Sequence, residues 1–363
     1  MKNKHKLRVL VTFDSMKNAN TGLYSFGYGL GNALLKENNG RFKLNYYLKF
    51  KSRKVFANKV RMVFLLKFHK LFFPGYKKYD VVHFTDQFCR LKPTLIKSKK
   101  VITIHDLNQI GVLKDRPERL KAFFTAMSTY IAKCDKVVAI SQFVAKDILK
   151  HFPEAEGKIS VIYNGADKLI PVEGHLPAYV PQRKFLFTIG HVSEKKNFHV
   201  LPALLQNNDL ELVIAGIITP YQEKIMAEAA KYGCQDRVII TGPVSDADKT
   251  WYYQHSEAFL FPSLTEGFGL PVIEAMYFGK PVFLSTYTSL PEIGGHLAYY
   301  FKNFDPAKMQ QVLADGLADF DQNNLVETIK QHAEQFTWAK TAQKYLKLYE
   351  ELISNQPFPK QGI

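Results

Sequence analysis

The apolar positions of this chain fall into short runs, with helical spacing filling the gaps between them. Residues 7–13, 81–84, 101–104, 137–140 and 159–163 are nearly continuous in Val, Ile, Leu and Phe. Strands buried on both faces read this way, which predicts a parallel sheet covered by helices. Residues 22–36, 119–133 and 142–150 carry the 3.6-residue spacing expected of those helices. A Pro-rich stretch without periodicity, 169–183, reads as a linker. The alternation then restarts with predicted strands at 185–189, 210–215, 237–240, 258–261 and 282–284. Two successive βα runs predict an α/β protein with two Rossmann-like, doubly wound domains facing a cleft at the carboxyl ends of the strands. The boundaries that follow are 1–170, a linker at 171–183, and 184–338. A last helix, 339–353, comes after the second sheet is complete, so 339–363 is expected to cross back to the first domain.

The densest chemistry follows the strand 258–261. The sequence Phe261-Pro262-Ser263-Leu264-Thr265-Glu266-Gly267-Phe268-Gly269-Leu270-Pro271-Val272-Ile273-Glu274-Ala275-Met276 reads as strand, glycine loop and helix. Pro271 suits a helix start because its fixed φ is already helical and its missing N–H is not needed there. Gly279 marks the stop. A glycine loop feeding a helix N-terminus is an anion site. Glu266 in the loop and Glu274, expected in the first helical turn, flank it. Phosphates bordered by carboxylates suit a ligand with phosphates in the middle and hydroxyls at both ends, as in a nucleotide sugar.

Charge sharpens the division into halves. The chain has 363 residues and a formal net charge of +16. Residues 1–170 hold 33 Lys+Arg against 12 Asp+Glu, and the remainder holds 16 against 21. Between Glu37 and Asp80 there are twelve basic residues and no acidic one, interleaved with Phe50, Phe56, Phe64, Phe68, Phe72 and Phe73. Part of that spacing is helical. The segment 41–78 therefore reads either as an amphipathic element for an anionic membrane surface or as a core helix with a solvated basic face. RNA-binding signatures and a helix-turn-helix are missing, which sets nucleic acid aside. The three cysteines are far apart and lack metal spacing. The basic N-terminus (Lys2, Lys4, Lys6) leads directly into a strand rather than a leader, and no apolar run is as long as a membrane span. A cytoplasmic protein, or one peripheral on the cytoplasmic face of the membrane, is expected.

The stretch 261–276 resembles the signature of retaining glycosyltransferases of the GT-B fold, in particular glycosyltransferase family 4. The resemblance implies that the backbone N–H groups of Phe268, Gly269 and Leu270 face the donor diphosphate and sugar. It also implies that Glu266 binds sugar hydroxyls near the anomeric carbon and that Glu274 binds the ribose. Gly190-His191-Val192-Ser193-Glu194-Lys195-Lys196-Asn197 is similar to the family's glycine-to-Lys-Asn element, with Lys196, aided by Lys195, on the pyrophosphate. Many relatives carry an arginine where this chain has His191 or Lys195, so a bidentate phosphate grip is absent here. Thr21-Gly22 matches the family's glycine loop beside the donor phosphate, and His105 in Thr103-Ile104-His105-Asp106-Leu107 matches a histidine next to the reacting centre. Asp106 is expected to orient it. Smaller matches at Ser141-Gln142-Phe143, Tyr163-Asn164-Gly165, Ala215-Gly216 and Ser289-Leu290-Pro291-Glu292-Ile293 follow in family order.

Two other motifs are set aside. Gly27, Gly29 and Gly31 lack the glycine that a dinucleotide fingerprint needs at position 32, which is Asn32. Asp246-Ala247-Asp248 has the form of a metal-binding Asp-x-Asp, yet it precedes a helical pattern beginning near Lys249, so Asp246 reads as a helix cap. No metal and no cofactor are expected. The reading is a metal-independent hexosyltransferase that moves sugar from a nucleotide-diphosphate donor to a saccharide or lipid-linked acceptor, in polysaccharide or lipopolysaccharide synthesis. Its catalytic residues are expected to be Glu266, His105 and Lys196. Donor contacts are expected from Gly22, Gly190, Lys195, Lys196, Phe268, Gly269, Leu270 and Glu274. A GT-B nucleotide-sugar epimerase and a non-catalytic sugar-nucleotide-binding protein are the alternatives.

Overall fold

The computed structural model describes residues 6–16, 21–56, 59–75 and 77–354. Lys2 and Lys4, and the end of the C-terminal stretch from 355, lie outside the described residues. The chain forms two compact units. One runs to Gly165 and resumes at Thr337; the other is Ala166–Phe336.

The first unit is built on a parallel sheet of β1 (Arg8–Thr12), β2 (Lys43–Leu48), β3 (Arg61–Phe64), β4 (Val81–Phe84), β5 (Lys99–Ile104), β6 (Lys136–Ala139) and β7 (Ile159–Val161). Their spatial order is β3-β2-β1-β4-β5-β6-β7. β2 and β3 correct the helical reading of 41–78. In Lys43–Leu48 every residue after Lys43 is buried, and Tyr46 and Tyr47 favour a pleated surface over a helix. β3 is a short edge strand that lies alongside β2. The segment also forms 3₁₀ turns at Phe50–Phe56 and Lys67–Lys70, and no amphipathic helix occurs among its described residues. What survives of that reading is the surface. Phe50, Leu66, Phe68, Leu71 and Phe72 are exposed, while Phe56 and Phe73 turn into the core.

The helix Gly22–Glu37 is capped by Thr21, whose hydroxyl accepts from the Tyr24 N–H. Its glycines serve packing. A Cβ at Gly29 would lie 2.1 Å from the Trp338 ring, and at Gly31 2.5 Å from Phe56. Trp338 opens the C-terminal helix Trp338–Ser354, which lies on this first helix and buries Trp338, Ala342, Tyr345, Leu346, Tyr349 and Leu352 at helical spacing.

Under that helix sits a closed polar network. His83 Nδ1 is 2.6 Å from the Tyr349 hydroxyl and His83 Nε2 is 2.8 Å from Thr103 Oγ1, which is 2.8 Å from the Tyr345 hydroxyl. All four side chains are buried. Burial, with some help from His105, pulls the His83 pKa down to about 3. The folded chain thus keeps His83 neutral, whereas the unfolded chain protonates it below about pH 6.5. Its contribution to stability is complete above that pH and is lost as pH falls toward 3, at up to about 1.4 kcal/mol per pH unit. Urea midpoints measured from pH 7 to pH 4.5 should fall along this slope, and His83→Gln should flatten it. An unchanged slope in the variant would remove His83 as the cause.

The second unit contains β8 (Phe185–Ile189), β9 (Glu211–Ala215), β10 (Val238–Gly242), β11 (Ala258–Phe261), β12 (Val282–Ser285) and β13 (Tyr299–Phe301), all parallel, in the order β10-β9-β8-β11-β12-β13. β13 is an addition to the strands read from sequence. It has only three residues, all aromatic and mostly half-buried. In each sheet the strand order reverses once, at β1/β4 and at β8/β11. Outside the carboxyl ends of strands at such a reversal, an open α/β sheet leaves a crevice for ligands. Two parallel Rossmann-like sheets with covering helices make this an α/β protein.

Candidate active site

The reversal in the second sheet brings two sequence motifs together. β8 runs into Gly190 and a 3₁₀ turn, Glu194–Lys196. Asn197 closes the turn at φ +60°, a left-handed conformation that Asn tolerates better than most residues. β11 runs into the loop that carries Glu266. There the Lys196 ammonium meets Glu266 Oε1 at 2.5 Å, with the two side chains only 12% and 15% exposed. Ser263 Oγ is 2.6 Å from the same carboxylate oxygen. Lys196 Nζ also lies 4.5 Å from the centre of the Phe261 ring, and its stem lies over Gly190, where a Cβ would be 3.2 Å from Cε.

Both loops are fastened by main-chain bonds. The Lys195 carbonyl accepts from the Leu264 N–H at 2.8 Å and lies 3.1 Å from Ser263 Oγ. Glu266 N–H donates to Thr288 Oγ1, and Ser289 Oγ lies 3.0 Å from both the Glu266 and Phe268 carbonyls. Lys195 therefore acts here through its backbone, and its side chain is exposed. Ser263, Thr288 and Ser289 were not singled out from sequence. Ser263 stands inside the quoted motif, and Ser289 opens another, so a hydroxyl within three residues of a loop carboxylate was the available signal.

The helix after the loop is Leu270–Tyr277, with Gly269 as N-cap at φ +106° and Pro271 in its first turn. Gly279, at φ +67°, ends it. Phe268 is buried and packs edge-on against Phe336. Glu274 is in the second turn, which corrects the first-turn placement. Its carboxylate meets Lys249 Nζ at 3.3 Å and the Tyr253 hydroxyl at 3.0 Å. Burial pushes the Glu274 carboxyl up, against the pull of Lys249. Burial pulls Lys249 down, but Glu274 and Asp246 outweigh it and leave it raised. Lys249 and Tyr253 were missed by the sequence reading. Their i,i+4 spacing on one helix was the signal.

The Asp-x-Asp motif needs one correction. The cap is Ser245, whose hydroxyl accepts from the Asp248 N–H, and Asp246 begins the helix Asp246–His255. Asp248 returns a bond to the Ser245 N–H and meets His175 Nε2 at 2.7 Å. Among the described residues, no group of three or more His, Cys, Asp or Glu could hold a metal ion.

In the first unit, His105 follows β5. Its Nε2 donates to the Thr85 carbonyl at 2.8 Å, and its ring stands edge-on to Phe26. The neutral ring therefore presents Nδ1 as an acceptor. Burial lowers the His105 pKa, which favours that neutral form, although the Thr85 bond works against it. Asp106 does not orient it. Its carboxylate accepts from the Asn108 N–H. At the β1/β4 reversal the structure adds Asp14, just past the run read at 7–13. Asp14 Oδ2 accepts from the Arg90 N–H at 2.7 Å. Oδ1 is buried without a hydrogen-bond partner, and burial pushes the carboxyl up. Gly22 is the first residue of its helix, with open space where a Cβ would stand.

This arrangement can be set beside known proteins. The family model for "Glycosyl transferases group 1" matches residues 178–336, and that for "Glycosyltransferase Family 4" matches 3–168. The chain belongs to the GT-B glycosyltransferases of the family 4 type. The serotype-specific mannosyltransferase WbdA of Escherichia coli is 28% identical over 282 residues, covering 71% of this chain and 34% of the relative. The chain thus spans about a third of the length of the first curated relatives it matches. D-rhamnosyltransferase WbpZ of Pseudomonas aeruginosa is 31% identical over 252 residues, covering 64% of this chain and 60% of the relative. Among solved structures, Anabaena HepE in complex with UDP and glucose superposes with a TM-score of 0.67 at 15% identity, over 95% of this chain and 100% of that one. In this family member, the second-unit matches separate into two clusters. Gly190, Lys195, Lys196 and Glu266 form one. Glu274 stands apart in the other, with Lys249 and Tyr253.

Proposed function

We propose that this glycosyltransferase moves a hexose-type sugar from a nucleoside diphosphate to a hydroxyl of a saccharide or lipid-linked saccharide, with retention at the anomeric carbon, in cell-surface polysaccharide or lipopolysaccharide synthesis. The observation that carries the reading is the Lys196–Glu266 pair at the β8/β11 reversal, beside the helix that starts at Leu270. A cation fixed by a carboxylate, an aromatic face and a glycine is ready to meet the charge that develops on a departing diphosphate. The helix start adds partial positive charge from Gly269 and Leu270. Glu266, with one oxygen held by Lys196 and Ser263, has acceptor capacity left for donor hydroxyls, and Glu274 is assigned to the ribose diol. The first unit is assigned to the acceptor, with His105 Nδ1 accepting a hydrogen bond from a sugar hydroxyl at the reacting centre. No carboxylate stands out as a nucleophile, so retention is attributed to front-face attack, in which the departing diphosphate takes the acceptor proton.

The named relatives act with mannose and D-rhamnose, and D-rhamnose is 6-deoxymannose. This favours a manno-configured donor. Thermal shift with a panel of guanosine and uridine diphosphate sugars should single out one donor. Transfer with that donor should be unchanged by EDTA, and the product linkage should keep the donor configuration by NMR. Inversion, or loss of activity on chelation, would overturn the mechanism. Donor turnover without any acceptor would favour an epimerase. Exposed Phe50, Phe68, Leu71 and Phe72 among the lysines of 41–78 support a peripheral contact with an anionic membrane.

A further inference from the structure

The first unit carries a second cationic site, away from the carboxyl ends of its strands. Arg8 begins β1, Lys43 begins β2 and Arg61 begins β3, and Arg8 and Lys43 are direct partners in register. Lys78 lies just before β4. These four side chains, with Tyr79 and Phe73, line a cavity of about 440 Å³ under the segment that returns from β3 to β4. The four cations thus gather toward the amino ends of the strands, the end opposite that of His105 and Asp14, while the cavity itself runs along β3 as far as Phe64 and Leu66.

Three observations show that this charge awaits a counterpart. Arg8 Nε is buried and has no hydrogen-bond partner. Tyr79 lines the same cavity as Arg8 and Arg61, and burial pushes its phenol up while Arg61 and Arg8 pull it back. The neighbouring carboxylate, Asp80, accepts from the Arg8 backbone N–H at 2.7 Å. Basic residues at the amino ends of parallel strands commonly answer the C-terminal dipole of the preceding helix. That explanation fails for Arg61 and Lys78, because among the described residues the helical turns that precede them are the short 3₁₀ turns Phe50–Phe56 and Lys67–Lys70.

We propose that this cavity binds a phosphate group, with Arg8 and Arg61 as its principal donors and Lys43 and Lys78 completing the charge. Two arginine forks around one cavity suit a phosphate's several oxygens, and the Phe73 and Tyr79 rings can cover whatever the phosphate is attached to. The phosphate belongs either to a lipid headgroup or to a soluble phosphorylated compound. The site does not depend on the donor reading of the second unit.

The test uses the full chain in the Lys196→Gln background, which weakens the proposed donor site, so that the Lys43 and Arg61 changes report on this cavity. Calorimetric titration with inorganic pyrophosphate should show binding. Adding Lys43→Gln and Arg61→Gln should weaken it at least about tenfold. Both positions are exposed, and circular dichroism with thermal melting checks that the variant folds. Co-sedimentation with phosphatidylcholine vesicles, with and without phosphatidic acid, separates the sources. Binding that requires phosphatidic acid and is lost in the variant assigns a lipid headgroup. Lost pyrophosphate binding without a vesicle effect assigns a soluble phosphate. No pyrophosphate binding in the Lys196→Gln chain, or equal binding by the variant, overturns the site.

Discussion

Lys196→Ala is expected to lower transfer by about 10²- to 10³-fold while leaving the chain folded. That is the usual consequence of removing one fixed donor from developing negative charge. Lys196 belongs to no sheet, although its ammonium lies over the Phe261 ring. The loop is fastened instead by Leu264, Ser263, Thr288 and Ser289. The loss should appear mostly in kcat, because the ammonium is worth most when the diphosphate departs. A second effect follows from the 2.5 Å pair. Without Lys196, Glu266 keeps only Ser263 on that oxygen and can swing, so the donor sugar loses its orientation. Glu266→Gln should therefore lower transfer as well, and the double variant should lose less than the product of the two single losses, because the residues act as a unit. Kinetics with the donor found by thermal shift would measure this. Near-normal turnover in Lys196→Ala would refute the site assignment.

Gly216→Ala is expected to destabilise the second unit by at least about 3 kcal/mol and to abolish donor binding with it. Gly216 stands at φ +127°, a conformation that side chains rarely adopt. A Cβ there would lie 2.0 Å from the Gly190 carbonyl oxygen, a backbone atom that no rotamer change can move. Gly190 is itself tied to β9, since its N–H donates to Ala215 at 2.9 Å. The ends of β8 and β9 must therefore separate, and the Lys196 stem that lies over Gly190 must move with them. Urea denaturation would show the lowered midpoint, and a wild-type midpoint with unchanged donor binding would sink the argument. Gly22→Ala is the contrast. Open space surrounds that position, so it should fold normally.

The apolar runs were enough to place most strands of both units, because a strand buried on both faces has no polar positions to hide its pattern. They failed where burial was partial. β3 is a half-exposed edge set among basic residues, and β13 is a short, mostly half-buried run of aromatics, so neither has the Val/Ile/Leu pattern of a strand buried on both faces. β2 was obscured by Lys43, Asn45 and the basic residues around it. The site residues within one motif were legible because the chain itself holds them together. Lys249 and Tyr253 beside Glu274, and Asp14 at the β1/β4 reversal, were not, because their neighbours arrive from distant parts of the chain.

By itself the sequence determined that two βα runs exist, that the second carries a glycine loop flanked by Glu266 and Glu274, and that a lysine pair precedes Asn197. These are local facts of spacing, capping and charge. Only the tertiary structure decided that Lys196 reaches Glu266, that Glu274 turns to Lys249 and Tyr253, and that Arg8, Lys43, Arg61 and Lys78 converge. Strand order decides which loops become neighbours, and strand order depends on sheet pairing between segments that carry no mark of one another in the sequence.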